Sequence, residues 1–598
     1  MLNLLNKFVE QLNYGKCDIN RLISDEKIKQ PIKGYFIARG MIEYFQEQEL
    51  FISNEEFDHG SPASSDIFYG CNNLARKNQR NGNSYSFRNV YRFVPIPFEN
   101  RLHWNHNFVE KENDQDYFSN VYHKFDECMV KTYDFTVELP ECISLIEVET
   151  RKAFFDYMIG TTSKLKINQG TTNKLKINEL LEILTTVEIQ DLDNFEYLSE
   201  MEEKLYNNKL IKLSQRTQRK LVLHVISFKR ISNFSSIFCK EIEYYGFLGE
   251  FYSPSRTCKL LERLVKYKCP NLNGISDLYN ISIEHIANEI CDGNYLLSEY
   301  ILLCICSRQK LEFKAYEENI SDCISKLPQI VLHISMCNKE FVERLNSFLL
   351  NHLPRLNWIN VDISTLNNGR LTPYFDVEED RFVTGILQVP LLRNLIVINE
   401  TSLEDGKLSE KGLENISNIS LLTNFGYVNY GFTNYKVPIK TESNYIILTS
   451  NEKSIFANKS NLSISLNAKY AEENNGILNP QNKSGNVVPN CSEANFSFVL
   501  KLFISIVGSC VDMLEFDEQT QDYIAETFVN IRQTSNICNL IHATSLHTWI
   551  MLARVQALMN GEEKLSKNRF EQFFRLEIER LEKLSKNGKK KSYLELIL

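Results

Sequence analysis

The chain has 598 residues, 43% of them apolar and 24% charged, which fits roughly two to four domains with ordinary cores and excludes global disorder. Its net charge of −9 excludes a generally basic nucleic-acid binder and leaves such binding to a local patch. The 15 Cys form no C-x-x-C pair, so a zinc ribbon or finger is excluded and the thiols are expected to be reduced and mostly buried.

The N-terminus, MLNLLNKFVEQLNYGKCD, lacks the charge order and small-residue cleavage site of a secretory signal. The aromatic and β-branched runs KGYFIARGMIEYF, ELFIS and SYSFRNVYRFVPIPF predict short strands of a small antiparallel barrel. Residues 99–131 are polar and read as a linker. A decapeptide, GTTSKLKINQ, is followed at once by its near copy GTTNKLKINE, a local duplication that feeds the apolar run LLEILTTVEI. The centre alternates in type: RKLVLHVISF, QIVLHISMC, RNLIVINE and NYIILTS predict strands, while IEHIANEI, LLSEYILLCICSR and KEFVERLNSFLLNHL predict helices. That alternation argues for a mainly parallel sheet flanked by helices. An Asn-rich segment at 468–496 is expected to be flexible. Beyond it, FSFVLKLFISIVGSCVDML is interrupted by Lys501 and serines, so a buried helix is expected and not a membrane span. TSLHTWIMLARVQALM and SKNRFEQFFRLEIERLEKL carry helical spacing.

LIVINE, ending in Asn399 and Glu400, is close to the hhhhDE end of the metal-binding strand in nucleotide-hydrolysing motors. A working motor also needs G-x-x-x-x-G-K-[ST], whose amides and Lys cradle the phosphates and whose hydroxyl holds Mg²⁺. The chain lacks that motif. The nearest approach is GNYLLSEY, where Gly293 opens the stretch, Glu299 falls at the Lys position of a helicase loop and Tyr300 at the Ser position. A carboxylate there would repel a triphosphate, and the preceding helix makes helix–turn–helix the simpler reading. Asn399 is a poorer Mg²⁺ partner than Asp, while Glu400 keeps the chemistry of a general base. His224 and His333 lie inside apolar strands and read as satisfied core histidines. There is no G-x-S-x-G elbow and no H-E-x-x-H. The run Lys589, Lys590, Lys591 is an import-signal candidate or a solvating tail.

Taken in order, these segments resemble the mini-chromosome maintenance (MCM) complex-binding protein family. Gly385, Leu387, Gln388 and Pro390 match its G-L-L-Q-L-P pattern; Val397, Ile398, Glu400, Thr401, Leu403, Gly406 and Leu408 match its L-V-I-D-E-T-x-L-x-x-G-x-L pattern, from which Asn399 departs. His224, Val225 and Ile226, then Gly293, Leu296, Glu299 and Tyr300, then Ser335 and Cys337, and finally Ala553 and Arg554 extend the resemblance over most of the chain. It implies a non-enzymatic partner of the MCM replicative helicase without a cofactor, bound to MCM subunits in place of a normal one. Such a partner acts in assembly, unloading or subunit supply on chromatin during DNA replication, and in sister-chromatid cohesion. It implies residence in the nucleus, with a cytoplasmic pool as the alternative, no membrane association, and direct DNA binding that is absent or weak.

The implied fold is α/β multidomain, shaped as a degenerate helicase subunit. Residues 1–98 would form an N-terminal helix and an oligonucleotide-binding-like β-barrel, 99–131 a linker, and 132–215 a β-rich continuation holding the duplication. Residues 216–467 would form a degenerate MCM/AAA-like α/β domain without a P-loop, 468–496 a loop, and 497–598 a helical lid with a basic tail. Gly293, Glu299, Asn399, Glu400 and Arg554 would mark a degenerate nucleotide site. Two alternatives remain open from the residues: a divergent AAA-type ATPase using Glu400, and a single-strand nucleic-acid binder acting through the barrel.

Overall fold

A computed structural model describes residues 36–53, 84–99, 128–133, 137–139, 175–191, 219–231, 254–270, 272–307, 329–376, 381–391, 394–457, 462–466, 493–510, 514–516, 518–534, 540–542 and 544–584. The chain divides into two compact units, Met1–Pro97 with Lys111–Ser232 and Phe98–Glu110 with Asn233–Leu598.

The first unit is built on β1 (Phe36–Ser53), β2 (Ser84–Val94), β3 (Cys128–Tyr133), β4 (Val137–Leu139), β5 (Leu180–Asp191) and β6 (Arg219–Arg230). The strands run β3-β2-β1-β5-β6, and β3 also pairs with β6 in parallel, so five strands close into a barrel with β4 appended to β6. The period of two sends Ala38, Ile42, Tyr91, Phe93, Val130, Ile183, Val225 and their neighbours inward to one core. FIARGMIEYF and ELFIS are parts of a single strand: nothing between them breaks pairing, and irregularities at Ile42/Tyr44 and Phe45/Glu47 bend β1 instead. The second duplicated copy leads into β5. Its Leu175 enters the core, and Asn178, at φ +65°, donates its N–H to Ile42 O. The first copy lies outside the described residues.

Two assignments change here. Cys128–Lys131, at the end of the segment read as a linker, belong to β3, whose alternation sends Cys128 and Val130 into the barrel core. RKLVLHVISF was expected to open the α/β domain, but as β6 it is the strand that closes the barrel through β5 and β3. Its alternation of Leu223, Val225 and Phe228 toward the barrel core explains the apolar run equally well.

The second unit holds a five-stranded, wholly parallel sheet of β7 (Val331–Ser335), β8 (Leu356–Asn360), β11 (Asn394–Asn399), β14 (Ser443–Leu448) and β15 (Leu462–Ser465), in the order β15-β7-β14-β11-β8. Crossovers between them carry α4 (Lys339–His352), α5 (Ile363–Asn368) and α6 (Glu410–Phe425). β7, β11 and β14 are buried from end to end, as a parallel sheet covered on both faces requires. A second sheet, β10-β9-β12-β13, pairs the hairpin β9 (Tyr374–Asp376) and β10 (Arg381–Val383) with β12 (Tyr427–Gly431) and β13 (Lys436–Lys440). Phe375, Phe382 and Phe432 pack against one another across it. Gly426 joins α6 to β12 at φ +71°, where a Cβ would come 2.8 Å from Gln329 Nε2, so only glycine fits without strain.

The helices α1 (Pro254–Lys268), α2 (Ile275–Glu289) and α3 (Tyr295–Cys306) precede the sheet; α7 (Glu493–Cys510), α8 (Glu518–Thr534), α9 (Ser545–Met559) and α10 (Lys567–Leu584) follow it. Every residue from Leu296 to Cys306 is buried, because α3 is apolar apart from the hydrogen-bonded Ser298, Glu299 and Tyr300 and sits between β7 and β14 on one side and α2, α7 and α9 on the other. The C-terminal helices therefore share a layer with α1–α3 inside one unit. No helix is long and apolar enough to cross a membrane among the described residues.

Candidate functional site at the carboxyl edge of the parallel sheet

Open parallel sheets bind ligands in the crevice beyond their strand carboxyl ends. β7 is an inner strand and passes through a turn into α4, the strand–turn–helix order of a phosphate-binding motif. The turn is Met336-Cys337-Asn338 and nothing more. Met336 takes φ +61° and is 37% exposed. Cys337 donates its N–H to Thr449 O at 2.9 Å and its thiol to Ile334 O at 3.2 Å, and Asn338 caps α4 on Phe341 N at 2.8 Å. Cys337 and Asn338 are committed to the sheet and the helix, and the turn is too short to wrap a phosphate in the way of G-x-x-x-x-G-K-[ST].

Two strands away, β11 ends in Asn399 and runs on into Glu400, both buried. Asn399 donates to Asn360 Oδ1 at 2.9 Å and accepts from Thr401 through its N–H at 3.2 Å and its hydroxyl at 2.7 Å. Glu400 accepts from the Ser454 hydroxyl at 2.5 Å and from the Ile455 N–H at 3.1 Å. Ser454 in turn accepts from the N–H groups of Phe456 and Ala457. Burial pushes the Glu400 carboxyl up from the ordinary range, and the hydrogen bonds from Ser454, Ile455 and Phe456 pull it back. Glu400 thus pins the segment that follows β14 over the end of β11, with Phe456 sealed beneath it at 2% exposed. Among the described residues, no group of His, Cys, Asp and Glu side chains could hold a metal ion.

The remaining predicted positions lie elsewhere. Gly293 sits at φ +83° in the turn between α2 and α3, and its N–H donates to Ala287 O. Glu299 is buried in α3, accepting from the Tyr279 hydroxyl at 2.6 Å and from Gln556 Nε2 at 2.8 Å, and burial raises its carboxyl. Arg554, on α9, lies over the Phe516 ring at 5.1 Å. Gly293 and Glu299 therefore follow a helix, and the strand–turn–helix that a phosphate loop requires is the one at β7. The hydrogen bonds of these positions fall into two sets: Asn399 and Glu400 share the end of β11, while Glu299 bonds within the helix layer that also carries Arg554. Lys589, Lys590 and Lys591 lie outside the described residues. Sequence reading missed Asn360, Ser454 and Ile455; NYIILTS is legible as a strand, but the fold-back of Ser454 onto Glu400 spans 54 positions.

Where cysteine side chains are described, each is a buried free thiol, and burial pushes Cys291, Cys304 and Cys337 up to about 12, which keeps them protonated and unreactive.

Fold and edge together define an α/β protein with a closed barrel and a parallel sheet, in which Glu400 after β11 holds the chain's own Ser454 and Ile455. The chain matches the family model for the mini-chromosome maintenance replisome factor over residues 158–584 and belongs to that family. It is similar to the mini-chromosome maintenance complex-binding proteins of Gallus gallus (26% identical over 292 residues, 46% of this chain and 41% of that protein) and Homo sapiens (26% over 292 residues, 46% and 40%). The protein of the same name from Dictyostelium discoideum is 25% identical over 287 residues, 45% of this chain and 36% of that one. The matched segment spans about two fifths of the length of these relatives.

Proposed function

We propose that this chain is a non-enzymatic binding partner of the MCM replicative helicase. The observation that carries the reading is its family: the relatives are named for binding the MCM complex. The sheet edge supports it. A strand–turn–helix of phosphate-binding order without a phosphate loop, and a metal-strand end carrying Asn399 in place of Asp, make a scaffold shaped like an ATPase module and unsuited to hydrolysis. The closed five-stranded barrel supports an oligonucleotide-binding-like first unit, and the parallel sheet with its helix layer supports a degenerate AAA-like second unit with a lid-like end. We assign the protein to assembly, unloading or subunit supply of the helicase on chromatin and to sister-chromatid cohesion, with residence in the nucleus.

The test is co-elution on a sizing column of the purified chain with MCM subunits of the same organism, without nucleotide or DNA, repeated with ATP. A stable complex without nucleotide is expected, and its composition names the position the chain fills. No complex in either condition would overturn the reading. A complex that needs ATP bound by this chain would return the ATPase alternative.

A further inference from the structure

The segment leaving the covered sheet edge, Thr401 to Ser409, is exposed over almost its whole length and yet is held in place. Asn367 of α5 is the clamp. Its amide donates to Lys407 O at 3.0 Å, while its Oδ1 accepts from the Ser409 N–H at 2.8 Å and the Ser409 hydroxyl at 3.1 Å. Gly406 lies on Ile363, so closely that a Cβ would meet Ile363 Cγ1 at 3.0 Å. Ser409 caps α6 through the Gly412 N–H at 3.1 Å, and Lys411 donates to Asn368 O at 3.0 Å. A segment anchored in this way has already lost its conformational freedom, so a partner that meets it has little ordering to impose.

On this frame sit apolar side chains that the fold leaves largely exposed. Leu408 is 36% exposed, Leu413 in the first turn of α6 is 59%, and Tyr435 at the β12–β13 turn is 60%. The Lys436–Glu414 ion pair ties that turn to α6, and Tyr435 stacks on Phe432 with ring centroids 4.8 Å apart and planes within 8°. Isolated exposed apolar residues need no explanation, but three on rigid, mutually tied elements make the kind of anchor set that interfaces use. The surrounding charge is acidic by one. Lys436 pairs with Glu414, and Lys411 keeps its charge while donating to a backbone carbonyl, so the exposed carboxylates Glu404, Asp405 and Glu410 stand against Lys407 and Lys411, a net charge of −1. That rim weakly disfavours phosphate and weakly favours cationic side chains.

We infer that this corner, Leu408, Leu413 and Tyr435 rimmed by Glu404, Asp405 and Glu410, docks a protein segment of the MCM complex bearing apolar side chains flanked by Lys or Arg. The inference rests on the functional reading above and locates its contact.

The experiment compares the wild-type chain, Leu413→Asp, the double variant Glu404→Lys with Asp405→Lys, and Val529→Asp, a control at an exposed position on α8. Each is titrated against the purified MCM subunits that co-elute with wild type, at two salt concentrations, after thermal melting confirms unchanged folding. Leu413→Asp is expected to weaken binding about tenfold or more. The charge-reversed pair is expected to slow association and flatten its salt dependence, and Val529→Asp to bind as wild type. Binding of Leu413→Asp equal to wild type would overturn this contact and leave the functional reading intact. Equal losses in Leu413→Asp and Val529→Asp would also overturn it. If wild type alone runs as a dimer that Leu413→Asp dissolves, the occupant is a second copy and the proposal fails. Absence of any wild-type complex would sink the functional reading and this inference together.

Discussion

His333, in the middle of β7, has both ring nitrogens engaged. Thr449 spends its hydroxyl proton on Asn451 O at 2.7 Å, so its oxygen accepts from His333 Nε2–H at 3.0 Å. Nδ1 is then the lone pair facing the Ser463 hydroxyl at 3.3 Å. The neutral imidazole fits this arrangement, and burial lowers its pKa from 6.5 to about 4. The unfolded chain therefore binds a proton first as pH falls. The stability that this histidine contributes is complete above pH 6.5 and is lost as pH falls through about 4, amounting to about 3 kcal/mol. Urea midpoints at pH 7.0 and pH 4.5 check it: wild type should lose more stability between them than His333→Asn by an amount of that order. Equal pH dependence in the two proteins would show that the imidazole is not the titrating group. The reading of His333 as a satisfied core residue came from its place inside an apolar strand, whereas its hydroxyl partners sit 116 and 130 positions away and no local pattern announces them.

At the scale of the element, α10 shows where sequence periodicity succeeds and where it stops. Its spacing marks Phe570, Phe573, Phe574, Ile578 and Leu581 as the buried face, and all five are buried. Glu577 and Arg580 lie on the same face and are buried too, which charge alone would have placed in water. They are held by each other, with Arg580 NH2 on Glu577 Oε1 at 2.6 Å and Arg580 Nε on Oε2 at 2.8 Å. Glu577 also accepts from Trp549 of α9 at 2.8 Å and from the Tyr300 hydroxyl of α3, and Arg580 reaches Ser463 O in β15 at 3.3 Å. One carboxylate thereby gathers three helices and, through its arginine, an edge strand. Glu577→Ala would strand a buried guanidinium, an indole N–H and a phenol, and is expected to cost about 3–5 kcal/mol in urea unfolding. Glu577→Gln, which keeps one acceptor oxygen, should cost less. A neutral effect of the alanine variant would mean that water reaches the cluster. Other elements escaped the sequence for simpler reasons. β8 is five residues, LNWIN, with polar residues at two positions, and β9 and β10 are three residues each, too short to establish a period. β6 was legible as a strand, but its sheet was not, because parallel pairing with β3 bridges about ninety positions without a local signal.

Across the whole molecule, the sequence made two things plain: alternating strands and helices behind a β-rich start, and a missing phosphate loop. It misplaced the ghost of that loop. GNYLLSEY resembles a helicase loop in its letters, yet a phosphate cradle depends on what precedes it, and a helix precedes this one. Three-dimensional order moves the question to Met336-Cys337-Asn338, in which Cys337 is bonded to Thr449 and Ile334 and Asn338 to Phe341. A triphosphate here would have to break those bonds, and although Lys339 opens α4 directly after the turn, no glycine-rich loop precedes it to wrap the phosphates. Titration of the full chain with a fluorescent ATP analogue and Mg²⁺ is therefore expected to give no saturable signal competed by ATP. Glu400→Gln should behave identically while lowering stability by about 1–3 kcal/mol, since a Ser454 or Ile455 donor loses part of its acceptor. Saturable binding in wild type, with hydrolysis abolished in Glu400→Gln, would instead make the segment over the sheet edge a displaceable cover and the chain an ATPase. The expected outcome fits the non-enzymatic reading proposed above, in which the carboxylate that ends β11 is occupied in holding Ser454 and Ile455.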